Sequence, residues 1–427
     1  MSSHPPERTG ARERVAVVGA GVSGLTAAHI LSTRHDVTLI EAEDRLGGHA
    51  HTHTVPTRHG DLKVDSGFIV HNDRTYPYLR RLFRELGVEA RDTEMSMSIR
   101  DESTGLEYAG GRGVKGFVAR PRQLLDREYV GMLRAVKRFH TLATAFLEQT
   151  DDEDTTTYGE FIADHGFRES FLRLYALPLV ACVWSSGEGD ALDYPARYLF
   201  RFLEHHGMLT VGDSPQWMTV VGGSRTYVDA LASRLADVRS GDPAVSVLRT
   251  PDGVEVRTLA GRVDRYDRIV LATHADDALR LLADATPAEK EVLGAFRYSA
   301  NETVLHRDGS FMPRARMARA SWNYLVGSDP TRGAVVTYWM NRLQGLPADE
   351  PFYVTLNATE RIDPDSVIAT MQYTHPLYDL GAVQAQRRIP EITTDRTAFA
   401  GAYQGWGFHE DGCRSGVEAA RAFGVDW

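Results

Sequence analysis

Three glycines near the amino terminus have the spacing of a loop that binds the phosphates of a dinucleotide. Gly19, Gly21 and Gly24 follow an apolar run, Val15 to Val18, and precede an apolar helical pattern. In such a loop the first glycine permits a tight turn, the second lets the backbone approach the pyrophosphate, and the third allows close helix packing. The helix then directs N–H groups and a positive dipole at the phosphates. The loop residues that we predict to contact a dinucleotide are Gly19, Ala20, Gly21, Ser23 and Gly24.

An acidic residue stands where a dinucleotide site needs one. Glu41 ends the next apolar strand pattern, 17 residues after Gly24. A carboxylate at this point can accept hydrogen bonds from the ribose hydroxyls. The two features together predict a dinucleotide cofactor, but they do not separate NAD from FAD.

The elements that must position this loop form one strand, helix and strand unit. We predict a strand from Arg14 to Val18, a helix from Leu25 to Ser32 and a strand from Val37 to Glu41. Helical patterns dominate between Arg74 and Asp213, and strand patterns return from Val245 onwards. Nucleotide-binding and substrate-binding segments therefore alternate along the chain. We assign residues 1–75, 215–295 and 385–427 to the nucleotide-binding domain and residues 76–214 and 296–384 to the substrate domain.

The composition excludes several classes of protein. The chain has 427 residues and a net charge of −10, and it lacks the excess of Lys and Arg with which proteins bind nucleic acid. Its two cysteines, Cys182 and Cys413, form neither a disulfide framework nor a zinc pattern, which favours a reducing cytoplasm. No apolar run reaches the roughly 18 residues that a membrane span needs. We therefore expect any membrane contact to be peripheral, on the inner face.

The residues that follow Glu41 narrow the choice of cofactor. The stretch from Glu41 to Gly48 resembles the flavin-containing amine oxidase superfamily, which carries an acidic residue and then Arg-x-Gly-Gly in this relation to the glycine loop. The resemblance implies an α/β fold, with a Rossmann-type FAD-binding domain of the glutathione-reductase or amine-oxidase kind and an interleaved α+β substrate domain. It also implies non-covalent FAD; a covalent link through Cys413 is the alternative. The further cofactor contacts that it implies are Glu41, Ala42, Arg45, Gly47, Gly48, His49, Gly67 and Val245, the last on the strand that meets the adenine.

The carboxyl-terminal segment resembles the closing flavin motif of the same superfamily. Phe399 to Ala402 is followed by Gly412 to Gly416 and by an Ala-rich helix, predicted from Cys413 to Phe423. A helix amino end aimed at the flavin N1 and O2 edge stabilises the negative charge of the reduced flavin. The cofactor contacts that we predict here are Gly401, Glu410, Asp411 and Gly412, although acids at a helix start also have a purely structural explanation.

Further motifs resemble a branch of the superfamily that is associated with cyclopropane fatty-acid synthases and modified-lipid formation. They are Gly47 to Thr52, Asp65 to Val70, Trp184 to Ser186, Pro215 to Trp217, Gly222 to Arg225, Trp322 to Tyr324, Met340 to Gly345 and Gly405 to Gly412. This resemblance implies desaturation or saturation of a lipid-linked acyl chain, with hydride transfer at flavin N5. It also implies a lipid-modifying methyltransferase or cyclopropane synthase as a partner.

Histidines and large aromatic residues in these motifs are the candidate active-site groups. A histidine beside the Gly47-Gly48 pair is placed to donate a hydrogen bond to the ring edge or to move a proton. His49, His51 and His53 alternate as metal ligands can, but we expect no metal because the segment directly follows the flavin glycines. The candidates are His49, His51, Trp322, Asn323, Tyr403, Trp406 and His409.

Three other functions remain open. True amine oxidases commonly place a lysine near flavin N5, and no lysine stands in the strand from Asn301 to Leu305 where we would look for it. An aromatic cage from Tyr403 and Trp406 would not match the family's pair well, so amine oxidation ranks second. A flavin isomerase without net redox change and an FAD-bound scaffold for a lipid-modifying enzyme are the remaining alternatives.

A basic stretch offers a contact with lipid. Between Arg112 and Arg138 the chain carries eight basic residues against only Asp126 and Glu128. Such a stretch on an acidic protein can dock on anionic headgroups. A solvated helix face explains the same charges.

Overall fold

The computed structural model describes residues 12–111, 114–185, 187–210, 214–327 and 334–427. Arg112 of the basic stretch and Ser186 of the motif that begins at Trp184 lie outside these ranges. Among the helices in the described ranges, none combines the length and the apolar character that a membrane crossing requires.

The strands are short and distributed along the whole chain. They are β1 (Arg14–Val18), β2 (Asp36–Ile40), β3 (Thr52–Thr57), β4 (Gly60–Asp65), β5 (Val70–Asn72), β6 (Ala90–Thr93), β7 (Met97–Asp101), β8 (Glu107–Gly110), β9 (Trp217–Val220), β10 (Asp237–Arg239), β11 (Ala244–Thr250), β12 (Gly253–Thr258), β13 (Val263–Tyr266), β14 (Arg268–Leu271), β15 (Arg297–His306), β16 (Trp322–Val326), β17 (Val335–Trp339), β18 (Tyr353–Leu356), β19 (Val367–Leu377) and β20 (Thr397–Phe399).

The helices are concentrated in the middle of the chain. They are α1 (Val22–Leu31), α2 (Pro77–Leu86), α3 (Val114–Phe117), α4 (Arg127–Gln149), α5 (Tyr158–Asp164), α6 (Glu169–Phe171), α7 (Leu177–Trp184), α8 (Glu188–Leu192), α9 (Ala196–His205), α10 (Arg225–Ala232), α11 (Ala275–Leu281), α12 (Pro287–Gly294), α13 (Met340–Gln344), α14 (Leu380–Ile392) and α15 (His409–Ala422). Short 3-10 helices include Pro121–Leu125, Arg316–Ala318 and Ala402–Gln404.

A five-stranded parallel sheet forms the centre of the nucleotide-binding part, in the order β10-β2-β1-β14-β20. Strand β1 pairs with β2 and β14, and its register sets Ala16 opposite Thr38 and Ile269. Val15 and Val17 face one side of the sheet, where they share a core with apolar residues of α1 and α15. The glycine loop leaves the carboxyl end of β1, which is where open parallel sheets bind their ligands.

The substrate part is built on a seven-stranded sheet in the order β19-β15-β18-β17-β16-β7-β8. Its neighbouring strands are antiparallel except β16 and β7, which run parallel. The pairing of β15 with β19 sets Ser299 opposite His375 and Asn301 opposite Tyr373. The strands of each large sheet fall within the segments that we assigned to the respective domain, while the domain boundaries themselves stay a prediction.

The central helices pack around an aromatic core. Phe139, Phe161 and Phe200 are fully buried at the contacts among α4, α5 and α9. The large apolar side chains between Phe171 and Trp184 join the same core or its neighbour. Core packing therefore explains the apolar density of this region without a substrate contact.

One local expectation, the start of the last helix, needs correction. The last helix begins at His409, four residues earlier than predicted, because the Asp411 carboxylate accepts a hydrogen bond from the Phe408 N–H and caps the new amino end. Helix α2 lies in a segment assigned to the substrate domain, yet Leu79 and Leu82 are buried in the nucleotide-binding core. The sequence pattern of α2 shows an apolar face but not the layer against which that face packs.

Candidate functional site

The glycine loop has the geometry that its spacing predicts. Gly19 has a φ of +101°, and a Cβ at this residue would lie 2.6 Å from the carbonyl oxygen of Ala272. A Cβ on Gly24 would clash with the carbonyl oxygen of Gly19, so the helix packs directly against the turn. By contrast, a Cβ on Gly21 would meet nothing within 4 Å. The loop therefore leaves open space beside the amino end of α1, where the motif places a pyrophosphate.

The acidic residue and the Arg-x-Gly-Gly segment lie against this loop. The Glu41 carboxylate accepts hydrogen bonds from the N–H of Ala20 at 2.7 Å and of Glu43 at 3.0 Å. The N–H of Gly47 donates to the carbonyl of Ala20 at 2.8 Å. A Cβ on Gly48 would lie 3.3 Å from the Cα of Gly21, so the pair Gly47-Gly48 packs against the glycine loop. Glu41 is thereby held at the rim of the open space with acceptor capacity left for a ribose.

Arg45 and Ala42 flank the same rim. The Arg45 guanidinium donates to the carbonyl of Gly48 at 2.7 Å and pairs with Glu43 at 2.9 Å. It braces the glycine pair, and its charge stays next to the phosphate region. Ala42 is exposed directly after Glu41.

The amino ends of α1 and α15 meet at the site. A Cβ on Gly412 would lie 2.6 Å from Val22 Cγ1, so no larger residue fits between the two helices. The N–H of Gly401 donates to Ser415 Oγ at 2.9 Å, which ties the end of β20 to α15. Two helix dipoles therefore point at one region, as binding of an anionic cofactor requires.

The carboxylates of Glu410 and Asp411, the two acids of the closing motif, accept hydrogen bonds at the amino ends of helices. Glu410 accepts hydrogen bonds from the N–H groups of Tyr78 and Leu79, both at 2.9 Å, and so caps α2. Burial raises the pKa of Glu410 to about 7 and that of Asp411, which caps its own helix, to about 6. The structure thus assigns both carboxylates a structural bond that competes with the predicted cofactor contact.

The positions of Val245 and Gly67 are consistent with a supporting structural role at the cofactor site. Val245 lies in a bulge of β11 between Ala244 and Ser246, so its backbone is not in register with β12. A Cβ on Gly67 would clash with the carbonyl oxygen of His49. Gly67 therefore acts through His49, by allowing the two backbones to touch.

Cys413 is buried against α1, where it accepts a hydrogen bond from Thr26 Oγ1 at 3.6 Å. Its side chain lies between two helices rather than in the open space beside Gly21. This position disfavours a covalent flavin link and fits non-covalent FAD.

His49 is at the centre of a group of aromatic rings contributed by distant strands. Its ring centroid lies 5.0 Å from Tyr373, 5.3 Å from His375 and 6.4 Å from His274. Its Nε2 has no hydrogen-bond partner among the described residues. Burial lowers the pKa of His49 well below 6.5 and that of His375 to about 4, so both rings are neutral at physiological pH.

A hydrogen-bonded chain runs from His51 to His53. His51 Nδ1 lies 2.9 Å from the Tyr373 hydroxyl, which lies 2.8 Å from Ser66 Oγ. Ser66 Oγ in turn lies 2.9 Å from His53 Nε2. Burial lowers the pKa of His51 to about 3, so its neutral ring has one donor and one acceptor nitrogen. Because every member can both donate and accept, the chain can reverse all its bonds and so move one proton.

Tyr373, His375 and His274 were not predicted from the sequence. Tyr373 and His375 are separated by one residue on β19 and His274 follows β14, so nothing in their local spacing relates them to His49. The only available signal was Ser66, which stands in the motif from Asp65 to Val70. His51 and His53 do approach each other, with ring centroids 4.1 Å apart, but each is bonded to a hydroxyl rather than arranged around a shared centre.

The buried hydrogen bonds of Asp65 explain why the motif from Asp65 to Val70 begins with an acid. Its buried carboxylate accepts hydrogen bonds from Thr52 Oγ1, from Ser224 Oγ at 2.8 Å and from Gln344 Nε2 at 2.8 Å. Three chain segments are thereby joined at one point next to Ser66. Burial outweighs these bonds and raises the pKa of Asp65 to about 6.

His409 is the other histidine that the structure brings to this region. Its ring stacks on Phe68 with centroids 3.8 Å apart, and its Nε2 lies 3.1 Å from the Tyr227 hydroxyl. Burial lowers its pKa to about 3. His409 is therefore a neutral, interior group at the amino end of α15 rather than a loop histidine that faces solvent.

The aromatic candidates are distributed over separate packing environments. Trp322 packs edge-on against Tyr338, with ring centroids 5.2 Å apart. Tyr403 packs against Phe296 in the core, and Trp406 lies beside Tyr198. The Trp322 and Trp406 indole nitrogens and the Tyr403 hydroxyl have no hydrogen-bond partner among the described residues. The structure gives no ring contact between Tyr403 and Trp406, so it does not bring them together as a cage.

The side chain of Asn323 is hydrogen-bonded within the seven-stranded sheet. Its amide donates to the carbonyls of Ala320 and Thr337, and its oxygen accepts from Ser98 Oγ at 2.7 Å and from the Ala320 N–H. These bonds use both donors and both acceptor positions of the side chain. The side chain of Asn323 thereby holds β7, β16 and β17 together, and its place in an active site stays a prediction.

A cavity of about 400 Å³ lies between the central helices and the carboxyl-terminal motif. This volume suits a small ligand. Residues that line it on the side of the motif are Tyr198, Gln386, Gly405, Trp406, Asp411 and Arg414. Trp406 is therefore next to open space, whereas His49 belongs to a separate interior cluster.

The buried residue His71 allows a test of how the stability of the folded protein depends on pH. His71 is fully buried beside Phe83, neither ring nitrogen has a partner among the described residues, and burial lowers its pKa from 6.5 to about 4. As pH falls below 6.5, the unfolded chain takes up this proton first, so stability present above pH 6.5 is lost. Between about pH 7.5 and pH 5 the loss from this residue is about 2 kcal/mol.

The difference in unfolding free energy between about pH 7.5 and pH 5 should be smaller in His71→Leu than in the wild type by about 2 kcal/mol. Urea denaturation at the two pH values measures it. His205→Leu, at an exposed histidine, is the control. Equal pH dependence in the wild type and in His71→Leu would contradict the assignment.

The parallel sheet, the glycine loop at its carboxyl edge, the ribose acid and the paired helix ends define a Rossmann-type dinucleotide-binding protein. The family model described as flavin containing amine oxidoreductase matches residues 22–306, which is more than half of the chain. The chain therefore belongs to this family, whose members use FAD.

Two relatives illustrate the range of the family. The flavin-dependent L-tryptophan oxidase RebO of Lentzea aerocolonigenes is 26% identical over 399 residues, which cover 83% of this chain and 81% of that protein. The flavin-containing amine oxidase A of Canis lupus familiaris is 27% identical over 255 residues, covering 57% of this chain and 46% of the relative. The chain thus spans most of the first relative and less than half of the second.

Solved structures agree with the fold. A CLA-producing fatty acid isomerase from P. acnes superposes with a TM-score of 0.67 at 18% identity, over 96% of this chain and 99% of that one. Wild-type putrescine oxidase bound to putrescine gives a TM-score of 0.67 at 16% identity, over 96% and 98% of the two chains. At these identities the likeness establishes the fold and not the substrate.

Proposed function

We propose that this protein is an FAD-dependent oxidoreductase that desaturates or saturates a lipid-linked acyl chain. The observation that carries the proposal is the group of uncharged rings around His49, although the carboxylates of Asp276 and Asp277 lie beside one of these rings, that of His274. The rings that contact His49 belong to His274, His375 and Tyr373, and burial keeps the histidines uncharged. An uncharged carbon chain loses no ionic hydration on entering such a surrounding, whereas a charged substrate needs a counter-ion there.

The strand where amine oxidases place a lysine supports the same proposal. Asn301 on β15 donates to His375 Nδ1 at 3.0 Å and accepts from the Asn357 amide at 2.8 Å. The residue opposite it on β19 is Tyr373. Asn301 therefore contributes a neutral amide to the histidine cluster, and β15 contains no lysine.

The residues of this chain divide the work as follows. The loop from Gly19 to Gly24, Glu41 and the amino ends of α1 and α15 would hold FAD, which supplies hydride acceptance or donation when bound. Desaturation removes a hydride and a proton from adjacent carbons. Because burial disfavours a charged His49, the hydrogen-bonded chain from His51 to His53 is the group that can carry this proton, toward the surface of β3.

A lipid-modifying methyltransferase or cyclopropane synthase is the partner that would supply a methyl-branched or cyclopropane chain.

Oxidation of an amine or amino acid is the second candidate function, because the relatives include an L-tryptophan oxidase and an amine oxidase. Isomerisation without net redox change is a third, since a fatty acid isomerase shares the fold.

An anaerobic titration of the flavin absorbance tests the proposal. The purified holoprotein is mixed with phospholipids that carry mono-unsaturated, methyl-branched or cyclopropane chains, and in parallel with simple amines and L-amino acids. We expect a lipid to bleach the flavin and mass spectrometry to find a new double bond. If only saturation occurs, the flavin reduced beforehand is reoxidised by an unsaturated lipid.

The alternatives give other results. Bleaching by an amine or amino acid alone, with hydrogen peroxide on aeration, would replace the proposal by amine oxidation. Lipid isomerisation that needs reduced flavin but consumes no electrons would replace it by isomerisation. No reaction with any lipid in either redox state would leave the scaffold function.

A further inference from the structure

Two short 3-10 helices present apolar side chains to solvent. In the helix Pro121–Leu125, Leu124 is 48% exposed and Leu125 is 85% exposed. In the helix Arg316–Ala318, Met317 is 45% exposed. Single exposed apolar residues are common on protein surfaces, but here three large ones occur on two segments that the fold places together.

A buried carboxylate joins these two segments. Glu107, which is only 2% exposed, accepts hydrogen bonds from the N–H of Arg314 at 2.9 Å and of Ala315 at 2.8 Å. The same carboxylate accepts from Arg120 Nη2 at 2.9 Å. The backbone carbonyl of Glu107 accepts from Gln123 Nε2 at 2.9 Å. The segments 120–127 and 314–319, which we call the docking face, are therefore held side by side.

The two segments of the docking face are rich in arginine. Its arginines are Arg120, Arg122, Arg127, Arg314, Arg316 and Arg319. Its only acid is Asp126, which caps α4 by accepting from the N–H groups of Glu128 and Tyr129. Six arginines against Asp126 and Glu107, the carboxylate that joins the two segments and pairs with Arg120, leave a formal charge of +4 here, on a chain whose net charge is −10.

We infer that the docking face binds the surface of an anionic phospholipid bilayer. Leu124, Leu125 and Met317 would enter the boundary between headgroups and acyl chains, and the arginines would lie at the phosphates. The charge of the remaining protein opposes approach to such a surface, so this face determines the orientation. Exposed apolar side chains beside arginines suit the boundary between headgroups and acyl chains, which can take up both, better than the polar surface of an acidic protein. The inference does not depend on the reaction that the flavin performs.

Sedimentation with vesicles tests the inference on the FAD-loaded full chain. We expect binding to vesicles of phosphatidylcholine mixed with phosphatidylglycerol, little binding to pure phosphatidylcholine, and release by high salt. The double variant Leu124→Ser/Leu125→Ser should weaken partitioning by about tenfold or more. Arg122→Glu combined with Arg316→Glu should abolish it, because both charges lie on the face and neither contacts Glu107 in the structure.

The chain offers a matched control and an independent measurement. Leu259 is 72% exposed, directly follows β12 in the three-stranded sheet β11-β12-β13, and lies outside the docking face. The variant Leu259→Ser should therefore bind vesicles like the wild type. Both native cysteines are buried, so Leu125→Cys can be labelled with an environment-sensitive fluorophore. Its emission should shift to the blue on anionic vesicles, while label at Leu259→Cys should not respond.

Several results would overturn the inference. They are absence of vesicle binding by the wild type, equal binding to neutral and anionic vesicles, equal losses in Leu259→Ser, and an unresponsive label at residue 125. Binding to polyglutamate without binding to vesicles would indicate an acidic protein as the partner instead. Unchanged melting temperature and flavin spectrum of the variants establish that lost binding is not lost folding.

Discussion

Gly21→Val is expected to give a folded protein that retains almost no FAD. A Cβ on Gly21 meets nothing within 4 Å, so the valine side chain has room in the protein itself. That room is the space beside the amino end of α1 that the pyrophosphate needs. We expect the affinity for FAD to fall by about a hundredfold or more, which corresponds to about 2.8 kcal/mol, measured by flavin content and by titration of the apoprotein.

Two other glycines separate cofactor loss from folding loss. A Cβ on Gly24 would clash with the carbonyl of Gly19, so Gly24→Val should lower the stability of the protein even without FAD. Gly131 lies on the exposed side of α4, where a Cβ meets nothing within 4 Å, and Gly131→Val is the control for introducing a valine. Full flavin occupancy in Gly21→Val, or unfolding of its apoprotein, would contradict the assignment of this space.

The second large effect concerns the hydrogen-bonded chain. Tyr373→Phe removes the hydroxyl that joins His51 to Ser66 and leaves the ring that packs against His49. If the chain carries the proton, we expect turnover of the substrate found by titration to fall about a hundredfold, with unchanged affinity for FAD and a larger solvent isotope effect.

A measurement without substrate checks the same chain. In a protein labelled with 15N-histidine, Tyr373→Phe should shift the ring nitrogens of both His51 and His53, because the tautomer of each depends on the hydroxyls between them. Tyr353→Phe, on the same sheet, is the control. A variant in which turnover is unchanged, or in which the His53 signals do not move, would show that the chain does not couple these groups.

Local patterns predicted much of the nucleotide-binding part. The strand from Arg14 to Val18 has the predicted bounds. The turn between the antiparallel strands β11 and β12 consists of Pro251 and Asp252, and Gly253 is already paired opposite Thr250. Glycine positions with defined stereochemistry, such as Gly19, follow from turn geometry within a few residues. The start of α15 was misplaced because its cap, Asp411, was interpreted as a residue before the helix.

The candidate site was predicted less completely. His49 and His51 were identified from their position after the glycine pair, and the structure places both in the interior cluster. Tyr373 and His375 come from β19, more than 300 residues away in sequence. Asn323 was chosen from a motif, although the reason for its position is the pairing of three strands.

By itself, the sequence determined the cofactor class and the family, because the glycine loop, Glu41 and the Arg-x-Gly-Gly segment act through backbone geometry within about 30 residues. Only the tertiary structure decided which side chains surround His49, that Glu410 caps α2, and that residues 120–127 and 314–319 form one surface. Those relations depend on strand register and on buried hydrogen bonds between distant segments, and the local spacing of residues contains neither.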